Sequence, residues 1–251
     1  MKTKDLYNNL IAESNSELAG DFKTKHNLPT LIDEYIHKCG NSVMSHEGLE
    51  VTWENTIHRS NLKDSFRNLE CTLFLSTNKM RLAYIDAKII EILEGWKRKF
   101  GIWNMKLFKL FNIINISNEL HINTTTLTTY LSEFSVLPKC FMSHETEYIE
   151  MENNMVLVKL KAENTSVEGI FYFNDQGLID KFETNDRFYS EDGKKFVKRK
   201  WIGKINGYKQ INGRLFPAQF QAFWDEINEG NKYFQSDIKS VTEFHPTTAS
   251  T

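Results

Sequence analysis

The sequence is poor in residues that mark several whole classes of protein. It has 3 cysteines, 4 prolines and 12 glycines in 251 residues, and a formal charge of only −2 at pH 7. Cys39, Cys71 and Cys140 are odd in number and widely spaced, so they are expected to be reduced structural thiols of a cytoplasmic protein. Little Pro and Gly, with 40% hydrophobic residues, argue against disorder. Near-neutrality removes the concentrated basic surface that nucleic-acid binding needs, so no nucleic-acid partner is expected. No run of about 18 apolar residues could span a bilayer. Met1-Lys2-Thr3-Lys4-Asp5 leads into a polar helix, not a signal peptide. The histidines at 26, 37, 46, 58, 121, 144 and 245 form no His-x-x-x-His pair and adjoin no Cys-x-x-Cys, so neither a metal site nor a cofactor is expected.

What the chain has in excess is aromatic side chains, with 18 Phe, 9 Tyr and 5 Trp, which favours a β-rich fold with a thick interior. Over 156–244, short runs rich in Val, Ile, Phe, Tyr and Trp alternate with turn signals, the pattern of an antiparallel meander. Asn174-Asp175-Gln176-Gly177 separates the runs 170–173 and 178–182, and Asp192-Gly193 and Asn212-Gly213 do the same further on. Asn206-Gly207 reads as a further turn or as a glycine kink inside a strand. Phe196, Lys198, Lys200 and Ile202 alternate with Val197, Arg199 and Trp201, but aromatics fall on both faces in places. A curved sheet wrapped around something accounts for that.

Upstream, residues 4 to about 20 and 28–39 are predicted to be helical, the second beginning near Pro29 and ending at Gly40-Asn41. Leu31, Ile32, Tyr35 and Ile36 share one face of it. From Gly48 the period shifts towards two, so 49–53, 71–75 and, despite a helix-compatible spacing, 81–92 read as strands. Between Trp103 and Phe141 the signals turn helical: Met105, Leu107, Phe108, Leu110 and Phe111 form a short apolar segment. A helix over 124–134 follows, capped by Asn123 or a neighbouring Thr and stopped by Val136-Leu137-Pro138. The expected fold is α+β and mostly antiparallel β: a curved, half-barrel-like sheet with an N-terminal helix and central helices packed on its concave face. The expected organisation is a helical extension over 1–27, one domain over 28–246 and a frayed tail over 247–251.

Three groups of residues carry potential chemistry. Cys140, His144, Glu145 and Glu147 supply a thiol, a base and carboxylates, against the simpler reading of a core thiol before a polar strand. Lys194, Lys195, Lys198, Arg199 and Lys200 could hold an anion, but alternation splits them between two faces, as on a solvated hairpin. Phe171, Phe173, Trp201, Tyr208, Phe220, Trp224 and Tyr233 could line a cavity for an apolar ligand, with Arg187, Gln219 and Gln221 orienting it; the simpler reading is a core filled by its own aromatics. The favoured binding residues are Arg187, Trp201, Tyr208, Gln219, Trp224 and Tyr233; none is assigned a catalytic role.

The segments LPTLIDEYIHKCG, MKLFKLFNIINISNELHINTTTLTTYLSEFSVLPKCF, GIFYFNDQGLIDKFE and KWIGKINGYKQINGRLFPAQFQAFWDEINEGNKYFQSDIKSVTEF occur in succession over about 28 to 244. Together they resemble a family of bacterial proteins known by the domain-of-unknown-function labels DUF6544 and DUF6920. The most specific part is the helix ending in Leu-Pro, followed by Trp201, Tyr208, Gly213, Pro217, Trp224 and Tyr233. Lys200-Trp201 departs from the Pro-Trp of many relatives, and the membrane-anchoring segment with which many of them begin is not recognised here. The resemblance implies a shape and no activity. The strand order is also similar to that of the LolA/LolB-like half-barrels that carry lipoproteins across the bacterial periplasm, an analogy of fold alone. The favoured expectation is a non-enzymatic module for an apolar or lipid-like small molecule. The alternatives are a hydrolase or isomerase using Cys140, His144 or Glu183 in the same cavity, and a protein-interaction domain.

Overall fold

A computed structural model describes residues 3–16, 25, 27–40 and 48–244; the tail predicted over 247–251 and three of the histidines lie outside them. Helices α1 (Thr3–Ser16) and α2 (Thr30–Lys38) precede strands β1 (Gly48–His58), β2 (Arg67–Ser76), β3 (Met80–Asp86), β4 (Ile90–Lys97), β5 (Phe100–Leu107) and β6 (Phe111–Ser117). Helix α3 (Leu120–Ser132) and two short 3-10 turns, Glu133–Ser135 and Pro138–Met142, follow. The chain then runs through β7 (Thr146–Met151), β8 (Met155–Ala162), β9 (Thr165–Phe173), β10 (Ile179–Tyr189), β11 (Val197–Ile211), β12 (Arg214–Trp224) and β13 (Lys232–Phe244).

These strands form one antiparallel sheet in the order β6-β5-β4-β3-β2-β1-β13-β12-β11-β10-β9-β8-β7. It is two consecutive meanders joined where the first strand pairs with the last, Val51 opposite Val241. The edges β6 and β7 are not paired with each other, and α3 is the connection between them. Although β4 and β5 are far from β9 and β10 in strand order, α3 packs against both pairs. Only a sheet curled around the helix permits this, so the expected curved sheet with central helices in its concavity is present.

Alternation assigns the two faces. In β9, Thr165, Val167, Gly169, Phe171 and Phe173 are buried between more exposed neighbours. The main core unites inward residues from both meanders with Ile32, Tyr35 and Ile36 of α2 and Leu127, Tyr130 and Leu131 of α3. In β3 the inward residues include Ala83, while Met80, Leu82 and Tyr84 point out and would leave an apolar patch. Helix α1 covers it with Tyr7, Leu10 and Ile11, so this first helix takes the convex face, opposite α2 and α3.

Two local expectations are corrected. Residues 105–111, read as helical, are the end of β5, a tight turn and the start of β6. The turn places Phe108 (φ 51°) and Lys109 (φ 60°) in the left-handed region without the Asn-Gly that usually marks it. Helix α3 begins after Glu119, which makes no side-chain cap, and Asn123 lies inside it. Asn123 instead ties the helix to the sheet: its Oδ1 accepts from the Gly101 backbone N–H at 2.7 Å. Helix and strand approach closely there, because a Cβ on Gly101 would meet the Ile122 carbonyl oxygen at 2.8 Å. The buried threonines of α3 satisfy themselves locally. Thr124, Thr126 and Thr129 donate to carbonyls four residues back at 2.8, 2.7 and 2.9 Å.

Candidate functional site: a charged, aromatic crevice in the concavity

Trp201 of β11 lies directly opposite Trp224 of β12 in the ladder. In β13 one extra residue, Tyr233, is inserted between the partners of Ala222 and Phe223. A bulge of this kind re-aims a side chain. The Tyr233 ring stacks on Trp224 at 5.5 Å, and its hydroxyl accepts the Trp201 Nε1–H at 2.8 Å. Tyr189, at the end of β10, meets Trp224 edge-on at 5.0 Å. Arg187, also of β10, lays its guanidinium 4.5 Å from the Trp201 ring centre and 6.0 Å from that of Trp224. Its Nη1 donates to Thr129 Oγ1 of α3 at 2.6 Å, while its Nε is shut off from solvent without a hydrogen-bond partner.

The opposite limb supplies charges. Arg81 of β3, 5% exposed, is engaged by Glu133 through Nε (2.9 Å) and Nη2 (3.2 Å) and by Glu94 of β4 through Nη1 (3.0 Å). Burial alone would raise Glu94, but Arg81 and then Arg187 hold it below the ordinary carboxylate range. For Glu133 burial prevails over Arg81, and the carboxyl lies above its usual value. His58, at the end of β1, packs edge-on against Tyr233 at 5.9 Å, and burial lowers it below its usual 6.5 in spite of Glu94. At neutral pH the imidazole is therefore uncharged. Arg187, Tyr189, Tyr233, His58 and Glu94 are half-buried, whereas Trp201 and Trp224 are buried. Lys63 after β1 pairs with Glu191 after β10 at 2.9 Å, and His121 in the first turn of α3 stacks on Phe196 in the loop before β11 at 3.9 Å.

Arg187, Trp201, Trp224 and Tyr233 are thus brought together, but two further candidates stand elsewhere. The Tyr208 hydroxyl donates to the Ile179 carbonyl at 2.7 Å and lies 3.1 Å from that of Tyr35, beneath α2. Gln219 is out of phase with Trp224 along β12 and bonds Asp237 (2.7 Å) and Asn206 (2.9 Å) on the other face of the sheet. Gln221 is on that face too, donating to Gln235 at 2.8 Å. Phe171 is fully buried against Phe141 and Phe182. The catalytic candidates do not converge. Cys140 is buried 3.4 Å from the Tyr130 hydroxyl, His144 is exposed, and Glu183 accepts from Tyr172 at 2.8 Å. In the basic cluster Lys198, Arg199 and Lys200 pair with Asp186, Asp225 and Glu183 respectively.

Sequence reasoning missed Arg81, Glu94, Glu133 and His58, which come from four separate elements. A signal was present in β4: Glu94 is two residues from Trp96, hence on the same face as a fully buried indole. No group of three or more His, Cys, Asp or Glu arranged to hold a metal ion exists among the described residues.

This open curved sheet, filled from one side by helices, defines a class of mainly antiparallel α+β protein. The chain belongs to the family described as "Family of unknown function (DUF6544)", whose pattern matches residues 21–236. No curated protein matches it. Among solved structures, a putative outer membrane lipoprotein-sorting protein domain from Vibrio parahaemolyticus is similar at 9% identity and a TM-score of 0.46, covering 81% of this chain and 87% of that one. A LolA superfamily protein from Nitrosomonas europaea (10%, 0.44; 85% and 91%) and a DUF1329 family protein from Desulfovibrio piger (10%, 0.44; 88% and 93%) are similar to the same degree. Superpositions this loose carry no function across.

Proposed function

We propose that this chain is a non-enzymatic binding module whose concave crevice takes an apolar or lipid-like small molecule. The observation that carries the proposal is the aromatic cluster of buried Trp201 and Trp224 with half-buried Tyr233 and Tyr189 around one guanidinium. Ligand sites are largely apolar with a few polar groups that fix orientation, and this lining has that composition. The sheet also encloses more than side chains alone can fill, since about eight strands already make a barrel just wide enough for that. Here 13 strands are filled by α2, α3 and the 3-10 turns. The three cysteines are free and buried, which suits a reducing compartment such as the cytoplasm. No helix among the described residues is long and apolar enough to cross a membrane.

A thermal melt of the wild-type protein with and without fatty acids, isoprenoids and detergents below micelle formation tests the proposal. A ligand that binds only the folded state raises the melting temperature in proportion to RT ln(1 + [L]/Kd). If none of these compounds shifts the melt, the crevice is core and the proposal fails. Trp224→Ala should weaken uptake of a hydrophobic fluorescent probe, with a separate loss of about 3–5 kcal/mol in stability from the vacated volume.

A further inference from the structure

Arg187 differs in its partners from Arg81, Arg199 and Arg59. Arg81 is held by two carboxylates, Arg199 by Asp225 at 2.9 and 3.0 Å, and Arg59 gives its donors to the carbonyls of Leu62, Glu229, Gly230 and Lys232. Arg187 makes one hydrogen bond, from Nη1 to Thr129, and no ion pair among the described residues. Because Nη1 lies on the side of the chain's own Cδ, the edge left over is the Nε–Nη2 edge. That is the fork whose two parallel N–H bonds match a carboxylate. The indole lies against the guanidinium at 4.5 Å, and the Nε of this edge is closed off from solvent, so an acceptor reaches it only when neighbouring side chains move aside. A buried donor without an acceptor is destabilising, so the crevice as it stands is polar and unsatisfied at one point, beside an apolar aromatic wall. Tyr233, whose oxygen accepts from Trp201, retains its own O–H to donate nearby.

We infer that the ligand is an acidic amphiphile, with a carboxylate head gripped side-on by the Nε and Nη2 of Arg187 and an apolar chain along Trp201, Trp224 and Tyr233. This rests on the binding-module reading above and adds to it the chemistry of the head. Glu94 and Glu133 feel the charge of Arg187, but both are bonded to Arg81 and neither forms an ion pair with Arg187.

The test compares two ligands of equal chain length, laurate and 1-dodecanol, by tryptophan fluorescence titration of the full chain at pH 8, below micelle formation. The wild type should bind laurate at least tenfold more tightly than 1-dodecanol. In Arg187→Gln the two affinities should converge, and in Arg187→Lys, which keeps the charge and loses the fork, only part of the preference should survive. Equal affinities in the wild type would overturn the anionic head and leave the apolar module standing. Failure of both ligands to bind would overturn both. Since the first comparison uses the wild type alone, it does not depend on the folding of any variant.

Discussion

Replacing Arg81 by Met is the sharpest perturbation of the interior. The guanidinium makes three short bonds, two to Glu133 and one to Glu94, and these carboxylates are only 13% and 28% exposed. Removing one partner of such a pair leaves the other charge uncompensated, typically at about 3–5 kcal/mol, whereas replacing all partners by apolar groups is often neutral. Glu94 retains some solvent, so the lower end applies, and Arg81→Met should lose about 3 kcal/mol. For a chain of this size that is a fall of about 6–12 °C in melting temperature. The loss should be greatest near pH 7. Without Arg81 both carboxyls titrate above their unfolded values, so the penalty is present above those values and fades as the pH falls through the carboxylate range. Adding Glu133→Leu to Arg81→Met should recover at least half of the loss. Urea unfolding at pH 7 and pH 4.5 reads these quantities. A single variant within about 1 kcal/mol of wild type at pH 7, or a penalty that grows on acidification, would refute the reasoning.

Other expectations follow from neighbouring features. His58 has a folded pKa depressed by burial, so as the pH falls below 6.5 the unfolded chain binds the proton first and stability declines; His58→Gln should flatten that part of a melting-temperature profile between pH 7 and 5. Burial pushes the Cys39 thiol up to about 11 and that of Cys71 up to about 12, so a thiol reagent at pH 8 should leave both unlabelled in the native protein. In denaturant without reductant the count should be three, and a count of one would mean a disulfide. Gly101→Ala should destabilise by about 1–3 kcal/mol, because its methyl group meets the backbone of α3; an unchanged urea midpoint would show that the helix yields freely.

The fold was most legible where turn chemistry is unambiguous. Gly177, Gly193 and Gly213 all have positive φ at the predicted turns, and Gly207 (φ 74°) is the kink inside β11 that Asn206-Gly207 suggested. It was least legible at 105–111, where the spacing of apolar residues fits both periods and the turn is made by Phe108 and Lys109. In the crevice, the aromatics were visible because they are dense along β11–β13. Arg81 and Glu94 are diagonal neighbours on the adjacent strands β3 and β4, a contact hidden because it needs the strand register, and their approach to Arg187 of β10 is a property of the curl. Gln219 shows the converse: one step of phase along β12 sends a plausible polar group to the outer face.

Native mass spectrometry of protein freshly purified without detergent tests the central claim most directly. The account expects a fraction of molecules to carry a small apolar mass that organic extraction removes, and expects Trp224→Ala to carry less of it. A spectrum of bare chain alone, from protein whose melt no amphiphile shifts, would contradict it.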